Sequence, residues 1–172
     1  MPLPATRERA GFAFEDLYRS SRDDVYAYVA TLLGDRIAAE DVTALAFERA
    51  YRKHKSFRRE RGSERAWLFG IARNAALDEL RRRRRLAPLL VEPAAAAPDH
   101  EVEDSDRTVR RVAVQNALAE LPGREREVIA LKFHAGLGHA EIARVLGTTE
   151  SNAGTLLHRA IERLRKACHE TA

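Results

Sequence analysis

Five polar side chains near the C-terminus have the types and spacing of a base-reading surface. Ser151, Asn152, Thr155, His158 and Arg159 stand in the stretch ESNAGTLLHRAIERLR. On a helix, Thr155, His158 and Arg159 fall at i, i+3 and i+4, so their side chains emerge together. A guanidinium so placed can grip guanine O6 and N7 in a major groove, while hydroxyls and amides reach base edges or phosphates. The opposite stripe is apolar, through Ala153, Leu157, Ala160, Ile161, Leu164 and Cys168. An ordinary helix with a solvated face would show the same division. What favours nucleic acid is the element in front of it.

Ile142, Ala143 and Leu146 give a short preceding helix one apolar side, and Gly147 interrupts it. Thr148 and Thr149 then offer hydroxyls to the unpaired first N–H groups of the second helix, and Glu150 places negative charge in its positive first turn. Two helices meeting at a glycine turn, with a polar face clustered on the second, have the layout of a helix-turn-helix.

A second group of candidate residues lies in the N-terminal half. In the loop KSFRRERG, Phe57 sits among Lys55, Arg58, Arg59 and Arg61. An aromatic ring amid cations can stack on an unpaired base while its neighbours hold the backbone; equally, Phe57 can anchor the loop to the helices beneath it. Ser63 is placed to cap the next helix, SERAWLFGIARNAALDELRRRRR, whose core stripe is Leu68, Ile71, Ala72, Ala75 and Leu80. Arg65, Arg73 and Asn74 turn to another face, and Trp67 and Phe69 cannot easily both point inward. The run Arg81, Arg82, Arg83, Arg84 and Arg85 complements the negative pole of that helix. Five arginines without balancing charge would bind phosphate with strong salt dependence, against the alternative of a solvated face.

Two earlier helices must carry this half. Phe14, Leu17, Tyr18, Val25, Val29, Leu32 and Leu33 share one face, with a break expected near Ser20 and Ser21 and an end at Gly34. The next runs from about Asp35 to His54 with Ala38, Val42, Leu45, Ala46 and Ala50 inward. Beyond the arginines, LAPLLVEPAAAAPDHEVEDSD carries three prolines and only acidic charge, the pattern of an extended linker. Val114, Ala117, Leu118 and Leu121 define a further helix, Pro122 and Gly123 turn the chain, and Val128, Ile129, Leu131 and Phe133 lead into the helix-turn-helix. The expected fold is all-α: two small helical domains, residues 11–86 and 107–169, joined by a flexible acidic linker, 87–106.

The net charge of +4 conceals a pattern that points to the partner. Residues 1–86 hold 19 basic and 13 acidic groups, 87–106 hold six acidic and no basic ones, and 107–172 hold 11 and 7. Two basic ends suit a polyanion at both. A single cysteine, Cys168, rules out an internal disulfide and fits a reducing compartment. VYAYVATLLG, the longest uncharged apolar run, is too short to span a bilayer, so a cytoplasmic protein without membrane insertion is expected. Chemistry is not. There is no G-x-x-x-x-G-K-[ST] loop, His134 and His139 lack further ligands at metal spacing, and the adjacent Glu40 and Asp41 diverge on a helix. Neither catalysis nor a cofactor or metal is expected.

Over nearly its full length the chain resembles the extracytoplasmic-function class of bacterial sigma factors. AAEDVTALAFERAY and WLFGIARNAALDELRRRRR look like their region 2; ALAELPGREREVIALKF and AEIARVLGTTESNAGTLLHRA look like region 4. The resemblance implies a dissociable subunit of RNA polymerase. Region 2 would bind the clamp of the large subunit and open the minus-10 element; region 4 would read minus-35 as duplex. Carried over by position, Asp41, Ala44, Leu45, Glu48 and Arg49 would form the polymerase-binding face. Phe57, Arg58, Arg59, Arg61, Trp67, Arg73, Asn74, Arg81 and Arg82 would meet the melted non-template strand at minus-10. Ser151, Asn152, Thr155, His158 and Arg159 would lie at minus-35, with Arg144 and Arg124 on phosphates.

Two departures stand out. Ala44 and Leu45 occupy places where the family commonly has Gln and Glu, which shifts weight from polar contacts to apolar packing on the polymerase. Gly154 and Leu156 stand where it often has Lys or Arg; the glycine costs about 1 kcal/mol of helix propensity, or lets the backbone approach DNA closely. The linker's acidic run could mimic RNA, or serve as a spacer extended by charge. Factors of this class are frequently held by an anti-sigma partner. The competing reading is a conventional helix-turn-helix repressor or activator with an N-terminal dimerisation or sensing domain; an adaptor without any DNA role is a third.

Overall fold

The computed structural model describes residues 13–89 and 106–170; most of the acidic linker lies outside them. Seven helices follow in order: α1 (Phe14–Leu33), α2 (Arg36–Lys53), α3 (Glu64–Leu86), α4 (Asp106–Glu120), α5 (Gly123–Phe133), α6 (His139–Leu146) and α7 (Glu150–Glu170). Among the described residues there is no strand.

The first three helices pack side by side. α1 runs without the break expected near Ser20 and Ser21, because Ser21 is fully buried and Ser20 donates to the Leu17 carbonyl three residues back. Gly34, at φ 65°, closes it in the left-handed region that glycine enters without steric cost. Asp35 restarts the chain by accepting the Ala38 N–H at 3.1 Å. α2 turns Ala39, Val42, Ala46, Phe47 and Ala50 inward. Leu45, expected in that stripe, is 37% exposed, since the buried stripe is centred on Ala46 and Ala50. Two 3-10 turns, His54–Ser56 and Arg59–Arg61, carry the basic loop to α3, where Ser63 accepts the Ala66 N–H at 3.1 Å. Trp67 and Phe69 divide as their spacing requires: Phe69 is fully buried against Tyr28, and Trp67 is half-buried.

In the C-terminal half α5, α6 and α7 build a core from Val128, Leu131, Leu137, Ile142, Leu146, Ala153, Leu157 and Ala160, with α4 laid against α7. Fully burying one such Val, Leu or Ile side chain contributes roughly 1.5–3 kcal/mol. α4 is the lightest attachment, with Ala117 its one buried residue; Val114 is 40% exposed. Phe133, expected inward, is 64% exposed at the end of α5, and Cys168 is only half-buried.

The halves do not stand apart. α5 packs on α1 and α6 on α3, so buried side chains of both halves form one continuous cluster.

Candidate nucleic-acid interface

Position on α7 follows from how it starts. α6 ends at Gly147, φ 64°, where the Thr148 N–H reaches the Ala143 carbonyl at 2.9 Å. Thr149 Oγ1 then accepts the Asn152 N–H at 3.2 Å, so the threonine caps α7 as its hydroxyl suggested. With Ala153, Leu157 and Ala160 buried below, Ser151, Asn152, Thr155, His158 and Arg159 are all exposed on the opposite side. Two of them are already oriented: Asn152 Nδ2 donates to Thr148 Oγ1 at 2.6 Å, and the Thr155 hydroxyl donates to the Ser151 carbonyl at 3.0 Å. The Thr155 oxygen keeps a lone pair toward solvent. Gly154 does not face outward; a Cβ there would lie 3.7 Å from His139 Nδ1 of α6. It fits the crossing of the two helices, where a Cβ would meet His139 at ordinary contact distance.

The basic loop of the N-terminal half is partly tied down. Phe57 and Trp67 pack with ring centroids 5.5 Å apart, tilted by 57°, and both are half-buried. Loop anchoring, one of the two roles open to Phe57, therefore operates. Arg58 Nη1 donates to the Phe57 carbonyl at 3.2 Å, and Arg59 pairs with Glu64 at 3.0 Å. Arg61 and Asn74 are exposed.

The arginine run is less unbalanced than it reads. Arg81 pairs with Asp78 at 3.1 Å, Arg82 and Arg83 both reach Glu79, and Arg83 also reaches Asp35 at 2.8 Å. The expectation of five unneutralised charges overlooked that Asp78 and Glu79 sit one turn earlier on the same helix. Hydrogen bonds from Arg82, opposed by partial burial and reinforced by Arg83, hold the Glu79 carboxyl down at about 2. Asp35 is lowered too, chiefly by the Ala38 N–H and then by Arg83. Arg84 and Arg85 are exposed and line an open cleft with Asp78 and Arg81.

On α2, Asp41, Ala44, Leu45 and Glu48 are exposed along one side, and Arg49 pairs with Asp78 at 3.0 Å. Ile37 extends this surface at 78% exposure. Its position four residues before Asp41 was the available signal, but an isoleucine at a helix start reads as core.

Arg73 is where the structure departs most from the sequence. Its side chain is 19% exposed and lies against Glu127 of α5, Nε to Oε1 at 2.5 Å and Nη2 to Oε2 at 3.5 Å. Tyr28 donates its hydroxyl to the same carboxylate at 3.1 Å. Arg65, overlooked as a site residue, caps the end of α5: its guanidinium donates to the carbonyls of His134 and Ala135 and pairs with Asp24 at 2.6 Å. Arg144 reaches the Arg61 carbonyl at 3.1 Å, while Arg124 is exposed. Among the described residues no group of three or more His, Cys, Asp or Glu could hold a metal. No described helix is long and apolar enough to cross a membrane.

A capped helix-turn-helix with a polar outer face, joined to a three-helix basic module, defines a DNA-binding protein of two parts. Each part matches a family model: residues 17–86 match Sigma-70 region 2, and residues 111–164 match Sigma-70 region 4. The chain belongs to the sigma-70 family and, within it, to the extracytoplasmic-function class. It is 33% identical to the ECF RNA polymerase sigma factor BldN of Streptomyces coelicolor over 93% of its own length and 62% of BldN's. It is likewise 33% identical to the RNA polymerase sigma factor CarQ of Myxococcus xanthus, over 95% of this chain and 94% of CarQ. With the ECF sigma factor SigL of Mycobacterium tuberculosis it shares 30% identity over 90% and 88%. The fold is that of the sigma factor RpoE in its complex with the anti-sigma factor NepR from Bartonella quintana (TM-score 0.73, 23% identity, 90% of this chain and 95% of that one). CnrH in complex with the cytosolic domain of CnrY is also similar (TM-score 0.67, 24% identity, 92% and 89%).

Proposed function

We propose that this chain binds core RNA polymerase and directs it to promoters through two DNA contacts, leaving the chemistry of RNA synthesis to the polymerase. The observation that carries the reading is the exposed face of α7 in a chain whose other half matches region 2. Residues 11–86 would serve polymerase binding and minus-10 melting, and residues 107–169 would read minus-35, with 87–106 as the tether. In this assignment Asp41, Ala44, Leu45, Glu48 and Ile37 meet the polymerase clamp. Because Ala44 and Leu45 replace polar residues, the contact leans on apolar burial. Asn74, Arg58, Arg59, Arg61, Arg81 and Arg82 serve the melted strand, Phe57 and Trp67 supply ring surface, and Arg84 and Arg85 add charge. Ser151, Asn152, Thr155, His158 and Arg159 address minus-35 bases, with Arg124 and Arg144 on phosphates.

The protein works in the cytoplasm, where polymerase and promoter are. Two of its structural neighbours were solved with a protein partner, one of them an anti-sigma factor; a regulator of that kind suits this chain as well. Adding the purified chain to core polymerase on a promoter library tests the proposal. Defined new start sites are expected. Protection of DNA by the chain alone, with no redirected initiation, would favour a conventional repressor instead.

A further inference from the structure

α7 carries no lysine or arginine ahead of Arg159, and position 154, in its second turn, is a glycine. Residues three and four apart share one side of a helix, so a side chain at 154 would stand between Ser151 and His158, both exposed. That place is already taken. A Cβ on Gly154 would meet the His139 ring of α6, 3.7 Å from Nδ1 and 3.8 Å from Cε1. These are the ring atoms nearest to it, so Nε2 lies on the edge turned away from α7's backbone.

The imidazole is held there by the elements beneath it. Glu141 turns back on the Gly138 N–H at 3.2 Å and so fixes the first turn of α6, which His139 opens. Gly147, with the Thr148 N–H on the Ala143 carbonyl at 2.9 Å, sets the angle at which α7 leaves. Ile142, Leu146, Ala153 and Leu157 lock the two helices from below. His139 itself is exposed, and neither ring nitrogen has a hydrogen-bond partner among the described residues. A ring nitrogen so placed, unclaimed by the protein and beside the polar face of α7, is available to DNA.

A helix-turn-helix lays its second helix in the major groove and crosses the backbone with its first, so the seam between them runs along the groove wall. His139 stands at that seam. We propose that His139 supplies from α6 the minus-35 contact that α7 lacks at position 154, its Nε2 donating to an acceptor of the duplex, and that residues 139 and 154 form one exchangeable site. The acceptor is a phosphate oxygen of the groove wall or a base edge beside those met by Thr155 and His158. A long side chain leaving 154 on this side would have to displace the ring, and the ring makes such a side chain unnecessary. This role of His139 rests on the sigma-factor reading of the chain, and its test separates the two.

Holoenzyme reconstituted with the full chain is titrated with a promoter duplex and its single-base minus-35 variants. His139→Ala should bind about three- to ten-fold more weakly, the net worth of one hydrogen bond, while His139→Gln, which keeps an N–H donor, should retain most of the affinity. A loss equal on every duplex puts the acceptor on a phosphate, and one confined to a single base pair puts it on a base; both support the assignment. The second arm is the cycle with Gly154→Arg. That substitution should raise affinity far more in the His139→Ala background, where the guanidinium enters the vacated place, than in the native one. An equal gain in both backgrounds, or an unchanged affinity of His139→Ala, would overturn the exchange and leave the sigma-factor reading intact. A native chain that forms no promoter-binding holoenzyme would overturn that reading, and the role of His139 with it.

Discussion

At the scale of single residues, Arg159 makes the sharpest claim. It is exposed on α7 beside Thr155 and His158, with no ion pair among the described residues. Replacing it with alanine should cost about 1–3 kcal/mol at one base pair of the minus-35 element, the usual worth of a bidentate grip on a base. Binding to a set of single-base variants checks this, and an equal weakening on every sequence would mean that the guanidinium holds a phosphate. Gly154 makes an opposite forecast. It lies inside α7 with ordinary contact distance to His139, so Gly154→Ala should gain up to about 1 kcal/mol of helix propensity. A melting temperature raised by about 2–4 °C is the expected readout for a domain of this size. Such local chemistry was legible in the sequence. Thr149, Ser63, Gly147 and Gly34 declared caps and stops because each acts within four residues of its own position. Arg73 was not legible: periodicity tells which way a side chain leaves its helix, but its carboxylate lies 54 residues away.

Among elements, the C-terminal end of α3 joins the most functions. Arg83 ties it to the start of α2 through Asp35, and Glu79 anchors two arginines. Since Glu79 is held at about 2, its pairing stabilises the fold fully above the ordinary carboxylate value of 4.5, and that contribution fades as pH falls from there toward 2. Glu79→Gln should lower stability at neutral pH by about 1 kcal/mol, allowing for solvent screening on the Arg82 side, and flatten the acid limb of a pH–stability curve. The two ends of the arginine run should behave differently. Neutralising Arg84 and Arg85 should reduce the salt dependence of promoter binding by about 0.9 in log–log slope for each phosphate they neutralise. Neutralising Arg83 should instead loosen α2 from α3, seen as a lower melting temperature. Every helix from α1 to α7 could be anticipated from apolar spacing, but α1's continuity past Ser20 and Ser21 could not. Burial of a serine inside a helix is decided by the neighbours across from it, here the Arg65 guanidinium 3.3 Å from Ser21 Oγ.

For the whole molecule, the sequence suggested two bodies on a string, and the packed halves were out of its reach. Each half carries its own amphipathic helices, and nothing in Tyr28, Arg65 or Glu127 taken singly says that they meet. The arrangement also furnishes a gauge of its own state. Tyr28 is fully enclosed, and burial together with the neighbouring Glu127 charge pushes its phenol well above the usual tyrosine value. While the halves are packed, this ring should escape alkaline ionisation and nitration alike. Nitration mapped to Tyr28 itself, as distinct from the less enclosed Tyr26 two residues before it, would show that the ring had lost the cover of Phe69 and Glu127, with no dye or label attached.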